Sequence, residues 1–119
     1  MGVVLDTSVL IAWERKVGAL EAYAAAHPDE PLGLSVLTAA ELFHGVHRAD
    51  TAARRVKRSA FVEQVLASFP VYAFDLAVSR LYAELWATLE RKGTKIGAHD
   101  LMIGATALSR GDTVLTLNR

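Results

Sequence analysis

What most constrains the fold of this chain is the spacing of four short apolar runs: VVLD at 3–6, PLGLSV at 31–36, PVYAF at 70–74 and TVLTL at 113–117. Each has the length of a strand, and the stretches between them are long enough for helices. Parallel strands need a crossover of a dozen or more residues, usually helical, whereas antiparallel ones can be joined by a tight turn. Apolar strands without polar alternation are covered on both faces, as in parallel βαβ units. The expectation is therefore an α/β fold: a three-layer α/β/α sandwich around a short central parallel sheet, in one domain over residues 1–119.

The intervening segments carry helix punctuation. TSVLIAWER follows the first strand with Asp6 or Thr7 as N-cap. The alanine-rich GALEAYAAAH stops at Pro28. Thr38 opens a helix that runs through Glu41 to about Ala49, and TAARRVKRSAFVEQVLASF predicts another. Asp75 caps LAVSRLYAELWATLERK, where Val78, Leu81, Leu85 and Leu89 make an apolar stripe that ends at Gly93. DLMIGATALSR is apolar on nearly every side, which predicts a buried helix, and Gly111 ends it.

Composition narrows the function classes. Hydrophobic residues make up 52% of the 119, which argues for a globular fold. There is no cysteine, so disulfide scaffolds, thiolate zinc sites and cysteine nucleophiles are excluded. No apolar run reaches the roughly 18 residues of a membrane span. The opening also lacks the positive n-region of a signal peptide, so a cytoplasmic protein without membrane attachment is expected. The 13 basic and 13 acidic residues cancel. That balance does not exclude nucleic acid, because the distribution of charge matters more than its sum. Arg48, Arg54, Arg55, Lys57 and Arg58 crowd one segment, and Arg91, Lys92 and Lys95 another; taken alone, each cluster reads as a solvated helix face.

Three acids stand out because they interrupt apolar sequence. Asp6 ends the first strand, where open parallel sheets bind ligands; the plain alternative is an N-cap. Glu41 lies in SVLTAAELFHGV, where Thr38-x-x-Glu41 also fits a capping box. Asp100 heads the most hydrophobic helix, so its carboxylate is expected to be nearly buried; the alternative is a favourable interaction with the helix dipole. Three carboxylates gathered at one end of a sheet repel one another unless a divalent cation binds them. Hard oxygen ligands without cysteine or a clear histidine set point to Mg²⁺ or Mn²⁺, a common device for phosphodiester hydrolysis. His44 and His47 lack the second motif and helical bundle that a di-iron site needs. His99 reads as loop or surface structure, and Trp13, Tyr82 and Trp86 read as core or dimer interface.

The stretches VVLDTSVLIA, LSVLTAAELFHGV, IGAHDLMIGATAL and TVLTLN resemble, in order and separation, the motifs of PIN domains, and more narrowly those of the VapC-type ribonuclease toxins of toxin–antitoxin systems. The resemblance implies a metal-dependent endoribonuclease acting on RNA, usually a homodimer, held inactive by a cognate antitoxin protein. Asp6, Glu41 and Asp100 match the family's first three acids, with Asp6 and Asp100 as metal ligands. Ser8 and Thr116 match small hydroxyl residues that line the site. The fourth acidic position of the wider family falls at Asn118, whose amide can ligate weakly but brings no charge, and relatives commonly continue for a short segment beyond Arg119. For a nuclease, Arg54, Arg55, Lys57 and Arg58 become candidate contacts to RNA phosphates or to acidic groups of the antitoxin. Two alternatives stay open: a catalytically weak PIN-like binding module, and a phosphatase using Asp6 as nucleophile, which normally wants an acid where Ser8 stands.

Overall fold

In the computed structural model, which describes residues 1–117, the first apolar run becomes β1 (Val3–Leu5), all three side chains fully buried. There follow α1 (Thr7–Glu14), α2 (Ala19–Ala26), β2 (Leu32–Ser35), α3 (Val36–Arg48) and α4 (Ala52–Ser68). The chain then forms β3 (Val71–Tyr72), α5 (Leu76–Lys92), α6 (Ala98–Arg110) and β4 (Thr113–Leu115). The strands make one sheet in the order β3-β2-β1-β4. Every pairing is parallel, with Val3 opposite Leu32, Leu5 opposite Leu115 and Leu34 opposite Val71. The expected α/β architecture with a short parallel sheet is what the chain adopts.

Side chains alternate across β1 with the period of a strand. Val3 and Leu5 enter a large cluster with Val9 and Leu10 of α1, Leu20 of α2, Leu42 of α3, and Val62 and Val65 of α4. Val4 points the other way, to Ile103 and Ala107 of α6, with Leu37 and Tyr72 alongside. Helices thus cover both faces, as a parallel sheet requires.

Three local expectations change. First, α3 begins at Val36, because Ser35 ends β2 and is already the N-cap, its hydroxyl accepting from the Leu37 amide at 3.1 Å. Thr38 therefore lies inside the helix, and no capping box joins it to Glu41. Second, α6 starts at Ala98 and is not buried all round. Burial begins at Leu101 and includes Ile103, Ala105, Thr106 and Ala107, while residues 91–100 and Leu108 are exposed. Asp100 is thus exposed, contrary to the expectation of near burial. The helix packs on the sheet and on α5 through its later turns. Third, the stripe on α5 is only partly covered: Val78 is buried, whereas Leu81, Leu85 and Leu89 are half-buried, since α5 packs chiefly on α6. Gly93 and Gly111 end α5 and α6 as expected, both at φ +70°, a conformation that disfavours any side chain. Among the described residues, no helix is long and apolar enough to cross a membrane.

Candidate active site

The site forms where β1 and β4 end side by side. The crossover from β1 leads to β2 on one flank, while β4 arrives on the other, so the crevice between β1 and β4 is the topological switch point of the sheet. Asp6 stands at its mouth. Its backbone is extended (φ −78°, ψ 157°) and occupies the N-cap of α1, but its side chain makes no cap hydrogen bond. Instead Oδ2 accepts from the Ser8 and Thr116 hydroxyls, each at 2.9 Å. Two backbone amides tie the same region together: Asp6 N–H donates to the Leu115 carbonyl at 2.9 Å, and Leu117 N–H donates to the Ser8 side-chain Oγ at 3.0 Å.

This arrangement explains how a carboxylate survives in apolar sequence. Asp6 is only 7% exposed. Two hydroxyl donors and the N-terminal end of α1 stand in for the hydration that burial removes. The carboxylate is held in one orientation by atoms from both strand ends.

Glu41 projects from α3 into the same region. Thr7 Oγ1 donates to Glu41 Oε1 at 3.0 Å, and His99 Nδ1 stands 3.9 Å from Oε2. The first turn of α1 therefore serves two acids at once, Thr7 holding Glu41 and Ser8 holding Asp6. The His99 contact brings the N-terminal turn of α6 beside Glu41. Asp100, the next residue, lies in that turn with its carboxylate folded over the N-cap, Oδ2 being 3.7 Å from where a Cβ on Gly97 would sit.

The structure thus joins Asp6, Ser8 and Thr116 directly, and Glu41 to α1 and α6 through Thr7 and His99. Among the described residues, no three acids or histidines are drawn into a closed ligand cluster. The donor chemistry fits a hard cation all the same: the sequence-predicted acids are oxygen donors, and nearby hydroxyls orient Asp6 and Glu41. Asn118 lies outside the described residues. Of the basic candidates, Arg54, Lys57 and Arg58 share a groove beside α1 and α3, whereas Arg55 donates to the Ala49 carbonyl at 3.2 Å.

Sequence reasoning passed over two residues that the fold brings into the site. Thr7 reads as a cap, and His99 as surface. The available signal for Thr7 was a pair of consecutive hydroxyls directly after a strand-end acid. For His99 nothing local points to Glu41, which lies 58 positions earlier in the chain.

The PIN domain family pattern matches residues 3–119. Ribonuclease VapC1 of Rickettsia felis is 35% identical over 118 residues, covering 99% of this chain and 86% of that protein. Among solved structures, VapBC-5 of Mycobacterium tuberculosis, a member of the VapBC family of toxin–antitoxin systems, is similar at TM-score 0.79 and 36% identity, over 99% of this chain and 85% of that one. DNA-bound VapBC of Salmonella typhimurium is similar at TM-score 0.85 and 26% identity, over 98% and 86%. Matched over nearly its whole length by the family pattern and by these relatives, the chain belongs to the PIN domain family, among its VapC members.

Proposed function

We propose that this protein is a metal-dependent endoribonuclease that hydrolyses RNA phosphodiester bonds, the toxin of a toxin–antitoxin pair restrained by a cognate antitoxin protein. The observation that carries the reading is the pair of carboxylates, Asp6 and Glu41, each held by a hydroxyl of one turn of α1 at the switch point of the sheet. They occur in a chain similar to proteins named ribonucleases.

Asp6 and Asp100 would hold Mg²⁺ or Mn²⁺, which when bound supplies Lewis acidity at the phosphate and lowers the pKa of water. The protein's own part is positioning and proton transfer. Ser8 and Thr116 fix Asp6 Oδ2, so this ligand needs no reordering. Thr7 occupies Glu41 Oε1, leaving Oε2 to take the proton of the attacking water. Water adds to phosphorus, the bond to the leaving ribose oxygen breaks, and that oxygen takes up a proton from solvent. Ser8 stands where an aspartate-nucleophile phosphatase normally wants a second acid, which counts against that alternative.

A second copy of the chain completes the reading: Leu76, Trp86 and Ile96 are large, exposed apolar side chains on and after α5, and contacts between subunits cover such groups. A cytoplasmic location follows from an RNA substrate. The test is incubation with total RNA, with Mn²⁺ and with excess EDTA, for the wild type and Asp6→Asn. The expected result is cleavage that needs both the metal and Asp6. Undiminished cleavage by Asp6→Asn would overturn the site assignment, and undiminished cleavage in EDTA would overturn the role of the metal.

A further inference from the structure

We propose that the groove between α1, α3 and α4 is the track along which the RNA substrate's phosphate backbone is led to the catalytic acids, an inference that rests on the nuclease reading above. The groove encloses about 690 Å³. Five cations line it: Arg15 from the end of α1, Arg48 from the last turn of α3, and Arg54, Lys57 and Arg58 from one face of α4. The last three stand at i, i+3 and i+4, the spacing that stacks side chains on a helix. Against them are two acids, Glu14 and Asp50, so the groove holds an excess of three positive charges in a chain whose formal net charge is zero.

The acids do not quench this excess. Asp50 is engaged by Arg54 at 2.7 Å, but both side chains are 70% exposed, where an ion pair is weak and readily exchanged. Glu14 faces Arg58 at 3.7 Å. Arg15, Arg48 and Lys57 have no carboxylate partner among the described residues. Cations gathered along a concave wall raise the local potential and concentrate anions there.

The groove also leads somewhere. A smaller hollow of about 130 Å³ shares Glu14, Arg15 and Arg58 with it and has Thr7 and Glu41 in its wall. Arg58 sits at the junction, within 3.5 Å of the Gly45 carbonyl. A polyanion laid along the cations would therefore pass from α4 over Arg58 to the pair Thr7–Glu41.

A protein occupant fits less well. Protein interfaces are anchored by apolar and aromatic groups in pockets. Among the described residues, Ala49 is the one apolar side chain that lines the groove itself, and large apolar groups (Ile11, Leu42, Phe61 and Val62) enter only in the smaller hollow beside the acids. A phosphate backbone asks only for cations and binds through counterion release.

The test uses the full chain and a labelled single-stranded RNA oligonucleotide in excess EDTA, with binding followed by anisotropy across a salt series. For single strands each phosphate contact contributes about 0.7 to the slope of log K against log salt. The double variant Arg48→Gln/Lys57→Gln is expected to lower that slope by about 1.4. Arg91→Gln/Lys92→Gln on α5 removes the same charge elsewhere and is expected to leave it unchanged. All four side chains are exposed, so both variants are expected to melt as the wild type does. An unchanged slope in Arg48→Gln/Lys57→Gln, with wild-type RNA cleavage intact, overturns the track and leaves the nuclease reading standing. If the wild type neither binds nor cleaves RNA, the nuclease reading fails and the track with it. Loss of polyglutamate binding in Arg48→Gln/Lys57→Gln, with the RNA slope kept, also overturns the track and assigns the groove to an acidic protein.

Discussion

Asp100 and Thr38 pose opposite problems of solvation. Asp100 is exposed in the first turn of α6, where its charge meets the positive end of the helix. Asp100→Asn keeps the size and removes the charge, so it should change stability by no more than about 1 kcal/mol. In the metal-ligand role proposed for it, Asp100 would be needed for its charge, and RNA cleavage by the same variant should fall by orders of magnitude. Thermal melting paired with a cleavage assay separates the two effects, and full cleavage by Asp100→Asn would count against the metal role. Thr38 is fully buried, and its hydroxyl has no hydrogen-bond partner among the described residues. An unpaired buried hydroxyl costs about 1–3 kcal/mol. Thr38→Val should therefore be neutral or stabilise the protein by about 1 kcal/mol, read as a rise in melting temperature. A clear fall would show that the hydroxyl is bonded to a buried water.

Among the elements, β3 pairs with β2 at the edge of the sheet and brings one close side-chain contact with it. Tyr72 lies against Gly33 of β2 so closely that a Cβ there would collide with its ring. On the ring sits the Arg110 guanidinium, 3.5 Å from the centroid, and Arg110 in turn pairs with Asp112 at 3.0 Å. Asp112 accepts from the Gly2 amide at 3.0 Å, so the end of α6 is fastened to the start of β1. Gly33→Ala should therefore destabilise the protein by about 1–3 kcal/mol through overpacking, although Gly33 has no unusual backbone angle to protect. Adding Tyr72→Leu should recover part of the loss. In a double-mutant cycle by denaturant unfolding, a coupling of about 0.5 kcal/mol or more is expected, and strict additivity would mean that the ring does not press on Gly33.

At the scale of the whole molecule, the strand order decides where chemistry can occur. Placing β4 beside β1 brings Thr116 to Asp6 across 110 positions of sequence, and packing α6 against α3 and β1 brings His99 to Glu41. A cation held between such distant segments would cross-link the fold. Any ligand that binds only the folded state stabilises it, by about 2.7 kcal/mol at a hundred times its dissociation constant. Mn²⁺ should therefore raise the melting temperature of the wild type by several degrees and leave Asp6→Asn and Asp100→Asn nearly unmoved. Equal shifts in all three proteins would show that the ion binds elsewhere.

What the sequence determined by itself is whatever rests on local periodicity and local chemistry. The strands and helices, the parallel sheet, the caps at Gly93 and Gly111, and the acids worth watching all follow from apolar spacing, glycine conformation and carboxylates set among apolar neighbours. Only the tertiary structure decided how deep each group lies and what it meets. Asp100 heads an apolar helix, yet the helix packs through its later turns, and no count of flanking residues reveals that. Thr38 and Glu41 have the spacing of a capping box, but β2 runs straight into α3 and Ser35 takes the cap first. Four basic residues, Arg54, Arg55, Lys57 and Arg58, stand almost together in sequence. Helical geometry turns Arg55 towards the end of α3, while Arg15 and Arg48, from two other helices, line the groove with the rest. Burial and long-range contact depend on how elements dock, and docking is a property of faces and distances that neighbouring letters do not encode.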